Sequence, residues 1–160
     1  MRFLFIFIFP CFVFAQQTIN GSIIHDNVQR DYILYVPSSY NSSNPTPLLF
    51  NFHGYTSNAS DQMWYGDFRS IADTANFLLV HPQGQVDSTG NTHWNVGWNG
   101  SIGDDVGFTA ALIDSLSAEY NINQDRIYST GMSNGGFMSF NLACNLSHRF
   151  AAIASVTGSM

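Results

Sequence analysis

Lysine is absent from this chain of 160 residues, and glutamate occurs once, at Glu119. The five basic residues are all arginines and face eleven acidic ones, for a formal net charge of −6. No basic patch exists to neutralise phosphates, which argues against nucleic acid as a partner. The five histidines show no metal-ligand spacing, so neither a metal nor a cofactor is expected. Linkers, repeats and low-complexity tracts are also missing, and residues 16–160 read as one domain. Aromatic residues are plentiful (14 Phe, 7 Tyr, 3 Trp), enough for a sizeable core and an apolar cleft.

The N-terminus reads as an export signal over residues 1–15. Met1-Arg2 supplies a short positive segment, Phe3 to Phe14 an apolar run, and Val13-Phe14-Ala15 a small-residue cleavage site before Gln16. That run is too short to cross a membrane, which takes ~20 residues, and no second one of spanning length follows. Cys11 lies inside it without a lipoprotein pattern, so no membrane anchor is expected and the mature chain is secreted or periplasmic. Cys144 is then the one cysteine left. It has two readings: a disulfide partner elsewhere, or a small buried residue on a helix.

The most informative stretch is Gly131-Met132-Ser133-Asn134-Gly135, a G-x-S-x-G pentapeptide. Before it, Arg126 to Thr130 reads as a β-branched and aromatic strand; after it, Gly136 to Cys144 reads as a buried helix. A strand, a sharp turn and a helix form a nucleophile elbow, which exposes the serine hydroxyl at the strand's C-terminal end. Ser133 is therefore the candidate nucleophile, and the backbone amide of Asn134 a candidate oxyanion donor.

A serine needs a base, and the base needs a carboxylate to orient it. In hydrolases built on this elbow the order is Ser, then Asp or Glu, then His. After Ser133 the chain holds no Asp or Glu, and its one histidine, His148, falls at the far end of the following helix. That is roughly 20 Å of helical rise from the hydroxyl, so His148 reads as a polar residue at a helix terminus. The expectation is an N-terminal fragment, truncated after the strand that follows the elbow.

Strands and helices alternate along the mature chain. Thr18–His25 and Val28–Pro37 read as a hairpin turning at Asp26-Asn27, and Leu48–Phe52 as an apolar strand ending in His53-Gly54-Tyr55. Asp61–Asn76 is expected to be one helix, with Trp64, Phe68, Ile71, Ala72 and Ala75 on its core face. Phe77–His81 reads as a strand, followed by a long loop to Gly103 and a helix to about Tyr120 capped at Asp104-Asp105. Ala151–Val156 is the last strand. Repeated units of this kind predict an α/β fold, a mostly parallel sheet with helices on both faces. Ligands of such sheets bind beyond the carboxyl ends of the strands, where His53, His81 and Ser133 fall. There the amide of Tyr55 is the candidate second oxyanion donor, with Gly54 allowing close backbone approach. The loop Thr92 to Asn99 offers Trp94, Asn95 and Trp98, which suit a polymer or sugar-bearing ligand needing stacking and hydrogen bonds together.

As a set, the segments Arg30-Asp31-Tyr32 to Pro37, Phe52-His53-Gly54, His81-Pro82-Gln83-Gly84, Trp94-Asn95, Asp104 to Phe108 and Gly131 to Gly136 resemble a known family. It comprises secreted esterases of the polyhydroxybutyrate depolymerase and feruloyl esterase type, in carbohydrate esterase family 1. The likeness spans residues 28–160. It implies an α/β-hydrolase that cleaves carboxylic esters through an acyl-enzyme on Ser133. From the residues themselves, His53, Gly54, Trp94, Asn95 and Trp98 are the candidate contacts to a polymeric or small ester substrate. Polyester depolymerase and feruloyl or acetyl-xylan esterase are alternatives within it. A non-catalytic binding protein that kept the fold is the alternative outside it.

Overall fold

A computed structural model describes residues 16–159; the export signal read over 1–15, with Cys11, lies outside the described residues. Strands β1 (Gln17–His25) and β2 (Val28–Val36) form the expected hairpin. Asp26 and Asn27 both take positive φ, 50° and 61°, as a two-residue hairpin turn demands. Next come β3 (Thr46–Phe52), helices α1 (Ala59–Tyr65) and α2 (Arg69–Ala75), and β4 (Leu78–Pro82). The long loop after β4 holds a small separate hairpin, β5 (Gln85–Val86) with β6 (Thr92–His93). Helix α3 (Asp105–Glu119), β7 (Ile122–Met132), α4 (Asn134–Asn145) and β8 (Ala152–Val156) complete the order.

Six strands form one sheet in the order β1-β2-β4-β3-β7-β8. Strand β2 runs antiparallel to both neighbours, and every pair from β4 to β8 is parallel. Period-two alternation divides the strand residues between two helix layers. Leu34, Leu48, Phe50, Phe52, Leu78, Val80 and Ile127 face α3 and α4, where they pack with Phe108, Leu112, Leu116, Met138 and Leu142. Tyr35, Leu49 and Leu79 face the other way, against Phe68 and Ala72 of the α2 side.

The expected helix over 61–76 is two helices. Helix α1 ends at Gly66, and the Asp67 carboxylate starts α2 by accepting the Arg69 amide at 3.0 Å and pairing with its guanidinium. The break re-aims the apolar stripe: Ala72 stays buried, whereas Trp64 is 67% exposed and Ile71 also faces solvent. Trp64 is therefore not a core residue; the Arg69 guanidinium covers its ring at 4.3 Å. Asp104 caps α3 by accepting the Gly107 amide at 2.8 Å, as expected. Cys144 is a free, exposed thiol in this structure and not a buried residue. Among the described residues, no helix is long and apolar enough to cross a membrane.

Candidate active site

The pentapeptide sits where three backbones meet. Gly131 pairs with Phe52 of β3 on one side and Ser155 of β8 on the other. A Cβ on Gly131 would lie 2.8 Å from the Phe52 carbonyl oxygen, and one on Gly135 would lie 2.7 Å from that of His53. Only glycine lets α4 begin this close to β3. Ser133 occupies the turn at φ 52° and ψ −115°, a backbone state that costs an L-residue on the order of 1–3 kcal/mol. The surroundings hold it there: its amide donates to Val156 O at 2.8 Å and Thr157 Oγ1 at 3.2 Å, and its carbonyl accepts from Phe137 N at 3.0 Å. The Ser133 side chain is half-buried and caps no amide of α4, so its hydroxyl is left for other chemistry.

Asn134 follows as the first residue of α4, and its amide has no partner among the described residues, as helix geometry dictates. No acidic side chain occupies that first turn to compete for an anion. The Asn134 side chain is fully buried and bonds at both ends to one residue: Oδ1 accepts from Trp94 N at 2.7 Å, and Nδ2 donates to Trp94 O at 3.1 Å.

Gly54 lies against the elbow; a Cβ there would be 3.8 Å from Ser133 Cβ and 3.3 Å from Met132 Cε. Gly54 to Ser57 form a turn closed by Ser57 N to Gly54 O at 3.2 Å, with Thr56 at φ 67° and its amide on Thr92 O at 2.9 Å. The Tyr55 amide is left without a partner among the described residues. Its phenol donates to Asp87 Oδ2 at 2.8 Å. Donation from Thr89 Oγ1 and the Asn91 amide, with the Tyr55 phenol, holds the Asp87 carboxyl well below the usual carboxylate range.

Two expected substrate contacts are corrected. His53 is fully buried and both ring nitrogens are engaged: Nε2 accepts from Gly84 N at 2.9 Å, which makes Nδ1 the donor to Gly54 O at 2.7 Å. Burial holds its pKa below the ordinary value, in keeping with this neutral tautomer. Trp94 is 0% exposed; it stacks edge-on against Phe52 at 4.9 Å, and its indole Nε1 donates to His53 O at 2.9 Å. Neither side chain offers a face to a ligand.

Asn95 ties the loop down. Its amide donates to Asp105 Oδ2 at 2.6 Å, its Nδ2 donates to Gly103 O at 2.8 Å, and its carbonyl accepts from Asn141 Nδ2 at 3.3 Å. Trp98 is the tryptophan of this loop that reaches solvent, 43% exposed. It packs edge-on against Phe137, centroids 5.2 Å apart, one helical turn beyond Ser133.

Asp105 is more than a cap. It forms an ion pair with Arg30 in which both side chains are buried, and the Arg30 guanidinium lies 3.9 Å above the Phe108 ring. A signal for this was present: Arg30 shares the parity of Tyr32, Leu34 and Val36 on the buried face of β2, where an arginine requires a buried partner. The fold also brings ligand atoms of His25, Asp26 and Asp104 within 4.8 Å of one another, though no metal spacing exists in the sequence. Hydrogen bonding accounts for that cluster, since Asp104 caps α3 and meets His25 Nε2 at 3.2 Å.

Residues 30–160 match the family described as esterase PHB depolymerase. The chain is 32% identical over 147 residues to a probable feruloyl esterase C of Aspergillus flavus, covering 88% of this chain and 50% of that protein. Identity is 30% to a bifunctional acetylxylan esterase/xylanase of Neocallimastix patriciarum, over 89% of this chain and 20% of the relative. Among solved structures, an acetyl xylan esterase from Aspergillus awamori superposes with a TM-score of 0.71 at 20% identity, covering 88% of this chain and 53% of the other. The chain thus spans about half the length of the feruloyl esterases it matches.

Proposed function

This chain belongs to the PHB depolymerase esterase family and has the α/β-hydrolase fold, and from that premise we propose that it carries the nucleophile of a secreted serine carboxylic ester hydrolase. A general base takes the Ser133 hydroxyl proton as Oγ attacks the ester carbonyl, the developing oxyanion settles between the amides of Asn134 and Tyr55, and the C–O bond breaks as the base returns that proton to the departing alcohol. Water then releases the acid from the acyl-enzyme. The observation that carries this reading is Ser133 itself, held at φ 52° between a parallel strand and a helix N-terminus with Gly54 packed beside it.

His53 and His81 are both fully buried, so neither is offered as the base. We place the base and its carboxylate outside the described residues, and residues 16–160 as the N-terminal part of a larger esterase domain. Two observations support this: the relatives are about twice as long, and an apolar groove of about 260 Å³ lies open on the sheet face lined by Leu49, Phe68, Tyr128, Ala152 and Ala154. The ester belongs to a polysaccharide-bound acyl group rather than to a polyester. Relatives named as feruloyl and acetylxylan esterases favour that choice, as does the exposed Trp98, which packs on the part-buried Phe137 one helical turn beyond Ser133.

A fluorophosphonate probe tests the assignment on the full-length secreted protein. Labelling is expected in the unaltered protein and abolished in Ser133→Ala. Labelling that survives the substitution overturns it.

A further inference from the structure

Two amides are asked to meet one oxygen, and they come from segments far apart in the chain, the turn after β3 and the start of α4. Donors must approach the oxyanion to 2.7–3.1 Å, and a site tolerates about 0.5 Å of misplacement. Something must therefore set the interval between residues 54–55 and residue 134. We propose that Trp94 does so, and that Trp94 and Asn134 are positioning residues of the oxyanion hole; the inference rests on the reading of Ser133 as nucleophile.

The relay is continuous and buried. At one end both functions of the Asn134 side-chain amide are spent on the backbone of Trp94, at 2.7 and 3.1 Å. These two bonds fix the Asn134 rotamer and, through it, the residue whose amide points at the substrate. At the other end the Trp94 indole N–H holds the His53 carbonyl at 2.9 Å, one residue before Gly54. The His53 ring tightens that segment again through Gly54 O at 2.7 Å and Gly84 N at 2.9 Å. Trp94 is itself anchored, because its neighbour Asn95 donates to the Asp105 carboxylate that Arg30 neutralises. Packing alone does not explain this set. An apolar side chain would fill the position of Asn134 but leave the backbone N–H and C=O of Trp94 without these partners, whereas this buried amide gives one bond from each end to that single residue.

A positioning role for Trp94 and a merely stabilising one differ in the rate constants. In full-length protein hydrolysing p-nitrophenyl acetate, Trp94→Phe keeps an aromatic ring and removes the indole donor. The expected result is a fall in kcat of about 10- to 100-fold, with KM within about twofold and labelling still confined to Ser133. Should Trp94→Phe fail to fold, benzothienylalanine at position 94 preserves the shape of the indole without its N–H and is expected to give the same fall. Unchanged kcat in either folded variant overturns the relay. So does a fall in active-site titre that matches the loss in rate, because that would report unfolding alone. Failure of the unaltered protein to label at Ser133 sinks the esterase reading instead, a different and distinguishable result.

Discussion

Mild acid is expected to loosen this protein through one side chain, His81 near the C-terminal end of β4. The residue is fully buried, opposite Ile33 of β2, and neither ring nitrogen has a hydrogen-bond partner among the described residues. Burial pushes its pKa down from 6.5 to about 4; Arg69 acts in the same direction and Asp67 against it. A histidine with a folded pKa below its unfolded one is neutral in both states above pH 6.5. Between 6.5 and about 4 the unfolded chain takes up a proton and the folded one does not, so stability falls as the pH falls through that window. At about 1.36 kcal/mol per pH unit, the difference amounts to on the order of 3 kcal/mol, a large part of the 5–15 typical of a domain. The variant His81→Leu removes both unpartnered nitrogens and the titration with them. Urea unfolding followed by tryptophan fluorescence at pH 7.5, 6.5, 5.5 and 4.5 should show the original protein losing about that much more than the variant. At pH 7.5 the variant should be at least as stable, because a buried polar group without a partner has been removed. Parallel loss of stability in the two proteins across the whole range would refute the reasoning.

Asp105→Asn leaves the Arg30 charge buried beside a neutral amide and should cost about 3 kcal/mol or more, read as a lowered urea midpoint. The double change Arg30→Met with Asp105→Leu should recover part of that loss, and no recovery would mean that the carboxylate matters through Asn95 rather than through the ion pair. Trp98→Ala should slow hydrolysis of a feruloylated polysaccharide more than that of p-nitrophenyl acetate. Equal slowing on both, with a lowered melting temperature, would make Trp98 a packing residue.

What the sequence determined by itself is local. The turn at Asp26-Asn27, the Asp104 cap and the strand–turn–helix around Ser133 each depend on residues within one turn of each other, so their chemistry is readable in line. The division of β3 and β4 between two layers is not local: both strands are apolar and buried on both faces, so their sequence shows no alternation. The break at Gly66 was harder to read, because apolar spacing continues through it and only the Asp67–Arg69 pairing shows that a second helix begins.

Tertiary structure alone decided which tryptophan does what. Trp64, Trp94 and Trp98 are the same side chain in unremarkable sequence surroundings, yet one lies under an arginine in solvent, one is wholly enclosed, and one leans half-exposed on Phe137. Their fates follow from partners distant in sequence: Trp94 is buried because Phe52, His53 and Asn134 converge on it from β3 and α4. Likewise Asp105 became an ion-pair partner only when β2 placed Arg30 beside it. Periodicity fixes which side of a strand or helix a residue occupies, but what covers that side is set by chain closure over many tens of residues, and burial, tautomer and pairing are properties of that closure.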